Sequence, residues 1–323
     1  MIRNKAAVRA QRRRRVILGA AVLLVPAALL AFFGFIVYQI KFPDPVPEDV
    51  GPSHYLLKFE EVAWTSPDGS EVTGWWIPGR AGAPAVVLAP GFGLSRSDGL
   101  SLAAALRKRG FHSLIYAAAG RSGEGATGAS AIGRRATERM LSALDVVKSK
   151  AGVDSARTGI WGVDVGAHAA FETALERKEV RAIAADSPFD ATGDFLRLRL
   201  ESELGRTGSW IEYGCRQMVG WMEGMKRADF DEPLPLEALA DRAVLVIKGE
   251  NRGSMGQKAV EIFSRLRGEK ELIELNRSRE RLMSAESASA YDREVADFFS
   301  RSLSAGRPLS AQQPGPASGN RNE

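Results

Sequence analysis

The residue whose setting most suggests chemistry is Asp164, in Gly162-Val163-Asp164-Val165-Gly166. An apolar β-rich run, Thr158 to Trp161, leads into this turn, and a helical pattern begins at Val165. The frame G-x-S-x-G lifts a nucleophile onto a sharp bend and sets the first N–H groups of a helix behind it. Here the apex is a carboxylate. A carboxylate can attack carbon and form an ester, but a base must then activate the water that hydrolyses it. The chain has three histidines, His54, His112 and His168. His112 opens a strand predicted over 112–117, roughly 16 Å from that strand's far end. His54 precedes the first strand. His168 stands one helical turn after Asp164, where a side chain points toward the sheet or the next helix more readily than toward the mouth of a site. The histidines show no metal-ligand spacing, and the one cysteine, Cys215, can form neither an internal disulfide nor a cysteine cage. No metal or other cofactor is expected.

The elements that must hold Asp164 alternate along the chain. "YLLKFEEVAW" and "SEVTGWWIP" flank the turn signal "SPDG" and predict a hairpin. "PAVVLAP", "HSLIYAAA", "RTGIWG", "VRAIAAD", "AVLVIKG" and "KELIELN" read as further strands, with helical patterns between most of them. Alternation of this kind predicts an α/β protein with a mostly parallel central sheet and helices on both faces. A helical insert spans 191–230. Its residues Trp210, Met218, Trp221 and Met222 recur at helical spacing and are candidate contacts for an apolar ligand, or else ordinary core. Gly123 to Gly128, "GEGATG", matches G-x-G-x-x-G, yet no helix opens at it directly and no acidic strand end follows at the right distance, so it reads as a loop.

The order of these pieces resembles the α/β-hydrolase superfamily, in particular its membrane-anchored bacterial branch similar to prolyl oligopeptidases and serine aminopeptidases. The resemblance covers about Tyr55 to Ser302. It is carried by "DGSEVTGWWIPG", "VVLAPGFGLSRSD", "ALRKRGFHSLIYAAAGRSGE", "GIWGVDVGAHAA", "AADSPF" and "PLEALADRAVLVIKGE" in sequence. It implies an α/β-hydrolase fold with a helical cap insert over the site.

The resemblance also implies a serine, an acid and a histidine, with an oxyanion hole made of backbone N–H groups. The serine position falls on Asp164, the acid position on Arg252 in "KGENRGS", and the histidine position near Glu280 in "NRSRERLMSAES". "YAAAGRSGE" carries Ala117 and Ala119 where the family writes Asp and Arg. The oxyanion loop corresponds to "APGFG", so the N–H groups of Phe92 and Val165 would form the hole. Asp164 would occupy or neutralise it.

The amino end reads as a membrane anchor. Val16 to Ile40 holds no charged residue over 25 positions, which as a helix spans roughly 37 Å, enough to cross a hydrocarbon layer. Residues 1–15 carry seven basic groups and no acid, ending in "RRRR". That asymmetry orients a single-pass anchor with its amino end in the cytoplasm and its main domain outside. Once those seven charges are set aside, the net charge of +5 becomes −2, which lacks the footprint of a nucleic-acid binder. The expected organisation is a basic tail (1–15), an anchor (16–40), a Pro-rich spacer (41–54), a hydrolase-fold domain (55–302) and a disordered tail (303–323). The expected function is a catalytically silent, extracytoplasmic pseudo-hydrolase that binds an apolar ligand or another envelope protein. The alternative is an active hydrolase of haloalkane dehalogenase or epoxide hydrolase type, using Asp164 and an unorthodox base.

Overall fold

The computed structural model describes residues 2–42, 46–116, 134–205, 209–224, 226, 230–281 and 283–304. The chain begins with a long helix, α1 (Ile2–Lys41). Within it Gln11–Lys41, whose most apolar 18-residue window has a mean hydropathy of 2.7, is, among the described residues, the segment long and apolar enough to cross a membrane.

Eight strands follow: β1 (Glu60–Thr65), β2 (Glu71–Ile77), β3 (Ala83–Ala89), β4 (His112–Tyr116), β5 (Val153–Val163), β6 (Val180–Asp186), β7 (Ala243–Gly249) and β8 (Lys270–Leu275). They form one sheet in the order β1-β2-β4-β3-β5-β6-β7-β8. The β1–β2 hairpin adds to β4 antiparallel, and every pairing from β4 to β8 is parallel. The interior strands are apolar on both faces because helices cover both. Along β3, Ala85, Val87 and Ala89 face one core while Val86 and Leu88 face the other, the two-residue alternation of a strand.

The first core is covered by α3 (Arg134–Ser149), α4 (Val165–Glu176) and α7 (Ser254–Arg265). The second is covered by α2 (Leu100–Lys108) and α8 (Ala285–Ser302). Within residues 191–230 the chain forms the helices α5 (Thr192–Leu204), which ends at Gly205 with φ 70°, and α6 (Ser209–Glu223). A third apolar cluster joins α5 and α6 to Val37 and Ile40 of α1 and to Val165, the residue after Asp164. The end of the amino-terminal helix therefore shares a core with the cap.

Candidate functional site

Strand β5 and helix α4 meet almost without a connection, and two glycines make that possible. A Cβ on Gly162 would lie 2.3 Å from backbone atoms of Gly166, and one on Gly166 would lie 2.3 Å from the Ala89 carbonyl oxygen. Asp164 takes the bend between them at φ 41°, ψ −103°, a conformation that strains a residue with a side chain.

The bend aims the carboxylate at the oxyanion loop. Its Oδ1 accepts the N–H of Phe92 at 2.9 Å and the N–H of Val165 at 2.5 Å. Those donors and the positive end of α4 converge on one oxygen, an arrangement suited to a developing oxyanion. Here a resident carboxylate is the acceptor. Asp164 is 3% exposed. Burial holds its pKa above the usual aspartate value, against the opposing pull of Arg252, the two N–H groups and Arg199. Gly91 gives the carboxylate its room, since a Cβ there would lie 2.4 Å from Oδ1.

The cap closes on the same loop. The Arg199 guanidinium lies 4.0 Å from the centre of the Phe92 ring, and Phe195, one turn earlier on α5, tilts against that ring at 6.2 Å. Beside them a cavity of about 320 Å³ lies between α5 and the turn after β7, lined by Leu198, Arg199, Glu201, Asn251, Arg252 and Met255 among others.

Among the described residues no histidine side chain hydrogen-bonds the Asp164 carboxylate. His168 places Nδ1 3.1 Å from the Phe189 carbonyl and stacks on that ring at 4.7 Å, while its Nε2 lies 3.9 Å from Glu172. His112, the first residue of β4, accepts the Gly79 N–H through Nδ1 and stacks on Trp76 of β2, at the end of the sheet away from the bend.

The loops after β7 and β8, where an acid and a base would stand, are bonded to each other. Arg252 donates from Nη2 to the Arg279 carbonyl at 2.8 Å. Glu280 accepts the Asn251 side-chain amide at 2.9 Å and pairs with Arg277. Asn251 also accepts the Ser278 N–H at 3.0 Å. Arg252 is thus a cation with electrostatic reach to Asp164, and Glu280 is a carboxylate held on the loop surface by two donors.

With this sheet order, strand–bend–helix junction and donor pair in view, the comparison with solved structures is decisive for the architecture. An esterase of Pyrococcus furiosus superposes with a TM-score of 0.60 at 19% identity, over 82% of this chain and 98% of that one. The protein has the α/β-hydrolase fold. GrgF from Penicillium superposes with a TM-score of 0.56 at 19% identity over 76% of this chain and 99% of that one. A dienelactone hydrolase from Anabaena variabilis reaches 0.52 at 14% identity over 77% and 99%. In sequence, the polyketide transferase GrgF of a Penicillium species is 26% identical over 141 residues, 43% of this chain. This chain spans about half (48%) of the length of that curated relative. No family model matches.

The fold brings Asp164, Phe92 and Val165 into direct contact and leaves Glu280 outside that group. Trp210, Met218, Trp221 and Met222 do not form the wall of the cavity, which the cap builds from α5. The apolar face of α6 is already occupied by α1: Met218 packs on Gly34, and a Cβ on Gly214 would meet the Phe33 ring at 2.3 Å. Trp210, Trp221 and Met222 are 57%, 79% and 38% exposed. Ala117, Ala119 and the Gly123–Gly128 stretch lie outside the described residues, as does the tail beyond Ser304. Among the described residues no cluster of three or more His, Cys, Asp or Glu is placed to hold a metal.

Sequence reasoning missed a buried polar network behind the bend. Asp186, the last residue of β6, accepts the Asp164 N–H through its own carbonyl. Its carboxylate accepts Ser187 Oγ, the Arg279 N–H and the Tyr291 hydroxyl, each at 2.8 Å. Tyr291 accepts the Trp161 indole N–H at 2.9 Å, and burial together with the Asp186 charge pushes its pKa well up. Arg279 pairs with buried Asp292 and lies 4.6 Å from the centre of the Tyr291 ring. The one available signal was a charged residue ending the apolar run "VRAIAAD".

Proposed function

We propose that this is a membrane-anchored pseudo-hydrolase whose domain lies outside the membrane, acting by binding a ligand or another envelope protein rather than by turnover. The carrying observation is that Phe92 N–H and Val165 N–H both donate to Asp164 Oδ1. The two donors that would stabilise an oxyanion are engaged by a buried carboxylate, and the nearest imidazole is turned to Phe189. A carboxylate nucleophile without a base to activate water stalls at the ester. Helix α1 and the Arg12–Arg15 run support anchoring with the amino end in the cytoplasm. The cavity beside Arg199 and Arg252 is the natural place for a bound molecule.

The test is turnover by the purified full-length protein in detergent, with p-nitrophenyl esters, epoxides and haloalkanes as substrates. The expected rate equals that of Asp164→Asn and of buffer, with no labelling by a fluorophosphonate probe. Hydrolysis by the wild type that disappears in Asp164→Asn would establish the active alternative instead.

A further inference from the structure

Helix α6 carries two faces of different chemistry. Trp210, Tyr213, Gln217 and Trp221, at positions i, i+3, i+7 and i+11, form one outward stripe. The three aromatic residues are 57%, 55% and 79% exposed. No charge interrupts that stripe. The charged residues of the helix lie on the opposite side and are paired, Arg216 with Glu212 and Asp231, and Glu223 with Lys41. Segregation of this kind suits a helix that meets a lipid–water boundary with its uncharged aromatic face outward.

The contacts between α6 and α1 fix where that boundary falls. The Trp210 ring lies 6.3 Å from Phe32 and 6.0 Å from Phe33, measured between ring centres, while Glu223 pairs with Lys41. Phe33 is 17 residues beyond Val16, roughly 26 Å along a helix, near the outer edge of a hydrocarbon layer about 30 Å thick. Lys41 lies roughly 12 Å farther out, at the level of the lipid head groups. A bilayer around α1 at this height meets the exposed face of α6, because that face borders the side on which Phe33 and Gly34 pack.

We infer that the Trp210–Tyr213–Trp221 face of α6 is embedded in the outer head-group region of the bilayer that α1 spans, so that the cap is held on the membrane surface. This rests on the anchored, outward-facing reading proposed above. Trp and Tyr suit that layer, with an apolar ring and a polar N–H or O–H at the wet edge.

The experiment uses the full chain in phosphatidylcholine–phosphatidylglycerol vesicles, with a nitroxide on a cysteine introduced as Trp210→Cys, Trp221→Cys, Val25→Cys or Ala151→Cys. Val25 reports the middle of α1. Ala151 is exposed in the turn before β5, at the end of the sheet away from Asp164. Collisions with oxygen and with a water-soluble nickel chelate are measured for each label. The expected result is loss of nickel accessibility with retained oxygen accessibility at 210 and 221, full nickel accessibility at 151, and the deepest signature at 25. Nickel accessibility at 210 and 221 equal to that at 151, with 25 still deep, overturns the inference and leaves the anchor intact. Protection from both relaxants at 210 and 221, the signature of a protein partner, also overturns it. Nickel accessibility at 25 overturns the inference and the anchored reading together.

Discussion

The two halves of the site are held in different ways. The half made by β3, β5 and α4 keeps the bend and two N–H donors on a single point. The half made by the loops after β7 and β8 is a lattice of Arg252, Asn251, Arg277 and Glu280, bonded to one another and to backbone. The first half is also architecture: the bend caps α4, and Asp164 N–H ties β5 to the end of β6. Substitutions there threaten the sheet whatever the chemistry. The second half lies on loops, where residues can change without moving a strand. Residues on those loops can therefore differ while the sheet holds the two N–H donors in place.

If the bend is architecture, damage to it is the most severe test. A side chain on Gly162 must displace backbone at Gly166, so Gly162→Val is expected to cost more than about 5 kcal/mol and leave no folded domain. Circular dichroism and limited proteolysis of the purified chain read this directly, and a folded Gly162→Val protein would refute the structural role. In the loop half the large effect belongs to the network beneath it. Asp292→Ala strands the Arg279 guanidinium, 2% exposed as a residue, and is expected to cost about 3–5 kcal/mol in denaturant unfolding. Removing the half-exposed partner of Arg109 by Asp297→Ala provides the contrast, at less than about 1 kcal/mol. Equal losses in the two variants would mean that the buried network is not the support of that half.

What the sequence disclosed follows the same division. The bend was legible because close backbone approach demands glycine at both Gly162 and Gly166, a local constraint with fixed spacing. The alternation of strands and helices was legible because a doubly covered sheet needs continuous apolar runs. The network around Asp186 was not, since its partners Arg279 and Tyr291 stand 93 and 105 residues away and no local pattern joins them. The apolar residues of α6 announced a helix without saying what would cover it. One side is taken by Phe33 and Gly34 from the far end of the chain, which helical periodicity alone does not reveal.

A smaller effect than those of Gly162 and Asp292 asks what the carboxylate itself does for the fold. Burial raises the Asp164 pKa, so the folded state holds that proton more tightly than the unfolded chain does. Stability contributed by the protonated form is therefore present at low pH and is lost as pH rises from the ordinary aspartate value through the raised one. Above that window the wild type carries a constant penalty for ionising a buried group. Asp164→Asn cannot ionise, and its carbonyl oxygen can still accept the Phe92 and Val165 N–H groups. The variant is expected to be more stable than the wild type by about 1 kcal/mol at pH 7, a Tm higher by roughly 2–4 °C, with the gap closing toward pH 4. A Tm at pH 7 below that of the wild type would mean that attraction to Arg252 and Arg199 outweighs the cost of burial. The carboxylate would then stabilise the fold by its charge and not only by accepting two hydrogen bonds.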